Sequence, residues 1–219
     1  MIPFLILAEP QEMFTTIKSR APWIFSLACC TTCFFVVVWL GGCWTNIREG
    51  LRWWSLLGPA IVSILFVGVA SCGSTMVLYA AQWVVVREKS NRPTYRTLFS
   101  LNTHCLLIVI LGEAINFLLM HTEIIQDYDL PLPKRFPLGL DLLLLVAKDP
   151  NIYLAILLHG ASIFILWYLV VLAKGLKYVS GSNMSRSVAT VTALWLVAMA
   201  LIIGMVHGAG GGTVFHISL

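Results

Sequence analysis

Charge is the scarcest thing in this chain. Asp, Glu, Lys and Arg make up only 11% of its 219 residues, against roughly a quarter in soluble globular domains, and that shortage excludes an ordinary water-soluble fold. No basic run interleaves with exposed aromatics, which removes nucleic acid as a partner. The motifs GxxxxGK[ST], GxGxxG and HExxH are all absent, so neither nucleotide binding nor zinc-peptidase chemistry has support. Ser26, Ser71 and Ser162 have no base-and-acid pattern around them, and nucleophilic catalysis lacks its partners too. The expectation is a protein that is not an enzyme and carries no cofactor.

Two further absences concern processing and thiols. The opening residues have no basic start, and Glu9 and Pro10 close their short apolar stretch; a cleaved signal peptide is not expected, and the first span should act as the insertion signal. Cys29, Cys30, Cys33, Cys43, Cys72 and Cys105 lie almost all in apolar stretches. Cys30-Thr31-Thr32-Cys33 is formally CxxC, but it has no second CxxC and no neighbouring acid or histidine. These thiols read as small residues that let helices approach closely, and no metal site is expected.

What is there is apolar: 59% of the residues are hydrophobic, mean hydropathy is +0.89, and the apolar residues fall in long blocks. Crossing about 30 Å of hydrocarbon takes about 20 helical residues. Five stretches qualify, 23–43, 59–86, 101–120, 152–173 and 188–207, which predicts an all-α, polytopic bundle of five transmembrane helices over 23–207. Gly58-Pro59 places a proline in the first turn of the second helix, where its missing N–H costs nothing; at 1.5 Å per residue that helix is about 40 Å long and should tilt or project. Residues 1–22 form an N-terminal segment in which Met13, Phe14 and Ile17 share one helical face, the pattern of a short helix lying at the membrane surface. The apolar run at 138–147 is half a span long and reads as interfacial or re-entrant. Residues 208–219 are a glycine-rich tail, and His207 and His216 beside it read as terminal residues.

Basic residues set the orientation. With the N-terminus cytoplasmic, Lys18, Arg20, Arg87, Lys89, Arg92, Arg96, Lys174, Lys177 and Arg186 lie inside, whereas Arg48, Arg52, Lys134, Arg135 and Lys148 lie outside, so N-in and C-out is the expected topology. Trp23, Trp44, Trp53, Trp54 and Trp83 sit near the span limits, where amphipathic rings are best placed. No internal repeat of the kind built into many secondary transporters is visible.

The order of features resembles a known family. Glu9-Pro10, then Arg20-Ala21-Pro22-Trp23 leading into the first span, resemble the opening of the bacterial branch of the Yip family (Ypt-interacting proteins). Arg92-Pro93-Thr94-Tyr95-Arg96-Thr97-Leu98-Phe99-Ser100 is similar to that family's basic-aromatic entry into the third helix. Ile163-Phe164-Ile165-Leu166-Trp167, Leu172-Ala173-Lys174-Gly175-Leu176 and Ser185-Arg186-Ser187 resemble its Phe-x-x-Trp helix, Gly-Leu exit and basic turn. The resemblance implies a five-helix membrane domain with a cytoplasmic N-terminus, in the bacterial inner membrane. The long N-terminal region and Asp-Leu-Tyr-Gly-Pro motif of eukaryotic members are missing, and Glu88-Lys89-Ser90-Asn91 replaces a common glycine pair, so binding of a small GTPase is not expected.

Chemistry inside the spans rests on few residues. Glu113 is the one acid at the centre of a predicted span, and a carboxylate there costs about 2.5–3.5 kcal/mol on insertion scales. Asn116, three residues on, shares its helical face, and His159 sits at mid-depth in the fourth span. Together they form a candidate intramembrane polar site, either a proton or cation site or a fixed packing contact. His104 and His121 lie near the ends of the third span, where water would satisfy them. Small residues concentrate in the second and fifth helices, and Gly204-x-x-x-Gly208 is a candidate helix-docking face. The expected role is a non-catalytic membrane organiser or accessory subunit of a larger membrane complex, whose partners are the lipid bilayer and other membrane proteins or a second copy of itself. The alternative is a small transporter or channel component that uses Glu113.

Overall fold

The computed structural model describes residues 10–20, 22–46, 54–85, 92–121 and 152–208. Among them are seven helices and no strand: α1 (Pro10–Arg20), α2 (Trp23–Asn46), α3 (Trp54–Val85), α4 (Tyr95–His121), α5 (Ile152–His159), α6 (Ile163–Ser180) and α7 (Met184–Gly208). Four stretches are long and apolar enough to cross a membrane, Leu57–Val84, Tyr95–Asn116, Ile163–Ser180 and Met184–Gly208, and α2 adds the shorter apolar stretch Trp23–Trp39. The protein is a helical polytopic membrane protein. The run at 138–147 and the tail after Gly208 lie outside the described residues, as do the side chains of Trp44, Trp53 and Trp54.

The centre of the bundle is α4, which packs against α1, α2, α3 and α6, while α3, α5 and α6 pack on α7. That position keeps the polar side chains of α4, Asn102, Thr103, His104 and Asn116, away from lipid, where each would be costly. Leu98, Leu101, Cys105 and Ile108 join one core with α1 and α6; Leu107 and Ile110 join another with Cys30 of α2 and Val67 of α3. Two glycines set the contact between α4 and α6. A Cβ on Gly112 would lie 2.6–2.9 Å from Phe164 of α6, and a Cβ on Gly175 of α6 would lie 2.5 Å from Leu101 of α4. Each helix therefore fills a notch in the other, and the two run antiparallel.

The N-terminal segment departs from its expected place. α1 is amphipathic as the spacing requires, but Met13, Phe14 and Ile17 are buried in the protein core rather than turned to lipid. α1 packs on α4 and α6, with Phe14 beside the missing Cβ of Gly175 and its ring centroid 6.3 Å from that of Tyr178. Lys18 Nζ lies 5.6 Å from the centre of the Tyr178 ring. An amphipathic face matches a protein groove as well as it matches a bilayer surface, and here the groove takes it.

Two helix limits also differ from the sequence pattern. α3 begins at Trp54, so Pro59 lies inside the helix and not in its first turn. The apolar run over 152–173 is divided: α5 ends at His159, Gly160 and Ala161 turn, and Ser162 caps α6 by accepting a hydrogen bond from Ile165 N at 3.3 Å. Hydropathy is continuous through this break, so only the local chemistry of Gly160 and Ser162 marks it.

Candidate functional site

Polar side chains gather in the α4 half nearest α1. Asn102 is their hub: its Nδ2 donates to Ser74 Oγ (2.6 Å) and Thr75 Oγ1 (3.2 Å) of α3 and faces the Ser71 carbonyl (3.4 Å). Its Oδ1 accepts from the Tyr168 hydroxyl of α6 at 2.7 Å. One amide thus ties three helices together, and all five residues are enclosed or nearly so. On the other side of α4, His104 is only 2% exposed. Its Nδ1–H donates to the Ser100 carbonyl at 2.6 Å, which leaves Nε2 to accept from the Ser26 hydroxyl of α2 at 2.5 Å. Cys30 Sγ reaches the Thr103 carbonyl at 3.2 Å, and Gln82 Nε2 of α3 donates to Thr190 Oγ1 of α7 at 3.3 Å.

The serine–histidine pair has a hydrolase-like hydrogen-bond order but no access. Ser26 is fully buried, and among the described residues no acid bonds to His104; the pair ties α2 to α4. His104 corrects the sequence expectation: because α4 starts at Tyr95, it stands more than two turns inside the helix, beyond the reach of water. The hub at Asn102 was not singled out by sequence reasoning. Its signal was the polar cluster Ser100, Asn102, Thr103 and His104 inside an otherwise apolar run.

The predicted polar site lies further along α4. Asn116 is buried, 4% exposed, and its Oδ1 has no hydrogen-bond partner. Glu113 is partly exposed, with no ion pair or hydrogen bond among the described residues. Their level is that of the α5–α6 break, since Phe164, the second residue of α6, sits against Gly112. His159 closes α5, and its side chain lies outside the described residues. At the break Gly160 N and Ala161 N bond back to Ile156 O (2.9 Å) and Leu158 O (3.1 Å), and the Gly160 carbonyl accepts from Trp195 Nε1 of α7 at 2.7 Å. Among the described residues no three of His, Cys, Asp and Glu stand close enough to hold a metal ion.

The proposed docking face is open. Gly204 and Gly208 are exposed on α7, and a Cβ on either would meet nothing within 4 Å. Among the described residues neither takes part in packing inside the bundle. Nearby, the Tyr153 hydroxyl of α5 and His207 Nδ1 of α7 are 3.0 Å apart.

The Yip1 domain family matches residues 4–205, which is nearly the whole chain. No curated protein and no solved structure matches it.

Proposed function

The chain belongs to the Yip family, and from that premise we propose that it is a non-catalytic membrane organiser or accessory subunit of a larger membrane complex. The observation that carries this reading is the division of labour between inside and outside. The polar groups around Asn102 and His104 are spent on holding helices together, while the outward surface of α7 offers two glycines with free space above them. Small residues at that spacing favour close contact with a neighbouring helix. The neighbour is another membrane protein or a second copy of the chain.

The proposed setting is the bacterial inner membrane with the N-terminus in the cytoplasm. Supporting it is the sequence bias itself: nine Lys and Arg residues fall in the segments read as cytoplasmic and five in those read as outside, the excess expected of a cytoplasmic side.

Purification from the native membrane in mild detergent, followed by mass spectrometry, tests the role. A companion in fixed ratio, lost when Gly204 and Gly208 are both changed to Leu, is the expected result. A lone chain that moves ions or solutes across liposomes overturns it.

A further inference from the structure

Among the described residues Glu113 makes no hydrogen bond or ion pair, and Asn116 Oδ1 is one of five buried side-chain atoms without a partner, beside Trp39 Nε1, Ser71 Oγ, Gln82 Oε1 and Ser100 Oγ. Asn116 stands one turn beyond Gly112 on the same face of α4. Because Gly112 rests on Phe164 and the two helices run antiparallel, that turn carries Asn116 to the level of residues 160–162, where one helix ends and the next begins. Glu113 adjoins Gly112 and lies within one residue of the same contact. A buried amide oxygen without a donor therefore stands level with a backbone break, and Glu113, without a counter-charge among the described residues, lies one turn back on the adjoining face of α4.

The break adds two complementary ends. The start of α6 presents free N–H groups and the positive end of its dipole, which favours an ionised carboxylate beside it. The end of α5 presents carbonyls: those of His159 and Gly160 lose their i+4 partners because Ile163 and Phe164 open a new helix. Trp195 takes up the Gly160 oxygen. A broken membrane helix beside a carboxylate is an arrangement in which backbone oxygens and side chains together hold an alkali ion.

We propose that Glu113 and Asn116, with backbone oxygens of the α5–α6 break, form a binding site for one monovalent cation of the sodium class. The donor chemistry fixes the class. Carboxylate, amide and carbonyl oxygens are hard ligands, suited to alkali and alkaline-earth ions rather than to thiophilic metals. One formal negative charge matches one positive charge: among the described residues Glu113 is the acid at this level, the other described acid, Glu12, standing on α1 at the far end of the bundle. The site goes beyond the organiser reading and does not rest on it, because an ion held at a helix break requires no flux.

The test is equilibrium binding of radioactive sodium-22 to the full chain in nanodiscs, with choline chloride holding ionic strength constant. Saturable binding is expected, displaced by unlabelled sodium and not by choline. Glu113→Gln and Asn116→Leu should each weaken it by about 10- to 100-fold. Size-exclusion chromatography shows whether each variant is folded. In parallel, the thermal unfolding midpoint of the unaltered protein should rise saturably with sodium. Absence of saturable binding to the folded, unaltered protein overturns the proposal. So does full binding in folded Glu113→Gln, or a midpoint that responds to acid but not to sodium, since the site would then take only a proton.

Discussion

Asn102 shows how one side chain organises a membrane interior. Replacing it with Leu removes its bonds to α3 and leaves the Tyr168 hydroxyl without an acceptor, but Ser74 and Thr75 keep partners in the carbonyls of Ala70 and Ser71. The expected destabilisation is therefore about 1–2 kcal/mol, set by one orphaned hydroxyl and lost bonds of modest worth in a bilayer. Adding Tyr168→Phe should cost less in the double variant than the two single changes predict, because the orphan disappears; denaturant unfolding in mixed micelles measures the coupling. Strict additivity would mean that the Tyr168–Asn102 bond contributes nothing. At this scale the sequence was partly readable. Glu113 and Asn116 stood out as polar residues amid apolar ones, whereas the partners of Asn102 and His104 come from helices 27 to 78 positions away, and no local pattern announces them.

Among the elements, α1 carries the strongest consequence. Its amphipathic spacing was legible, but the surface receiving it was not, since the glycine that makes room for Phe14 lies on α6, far along the chain. Phe14→Asp or Ile17→Asp now places a carboxylate between α1, α4 and α6, and the uncompensated burial should undock α1. Membrane insertion should survive, because the long spans supply its driving force. Faster amide exchange along α1 and around Tyr178, measured by mass spectrometry, is the expected sign; unchanged protection would show that the groove does not hold α1. Gly175→Val approaches the same contact from the opposite side, crowding Leu101 and Phe14 at a cost of about 1–3 kcal/mol. The α5–α6 break makes a related point. Gly160 and Ser162 have the chemistry of a break, yet each is also common in continuous membrane helices, and the Trp195 indole that receives the freed carbonyl belongs to another helix. Trp195→Phe should loosen this joint by about 1 kcal/mol, read as a lower thermal midpoint.

For the molecule as a whole, hydropathy and helix count were readable because the contrast between hydrocarbon and water is written along the chain in blocks of span length. Which helix stands at the centre was not, because blocks carry no record of neighbours. Orientation has a direct test. In a background without native cysteines, Ser185→Cys, in the first turn of α7, should be protected from a membrane-impermeant thiol reagent in intact cells, and Lys134→Cys should react. The opposite pattern reverses the proposed topology.

The glycine notches between α4 and α6 have a mechanical meaning. Leu101 and Gly112 on one helix, Phe164 and Gly175 on the other, are each 11 positions apart, which is three turns, or about 16 Å of rise. Two interlocks at the same spacing in opposite directions work like a keyed shaft. A slide of one turn would drive Phe164 off its gap and Leu101 out of its own in the same stroke, so neither can yield alone. Gliding along the shared axis is closed to this pair, and a change of shape in the protein would carry α4 and α6 together as a single stiff strut.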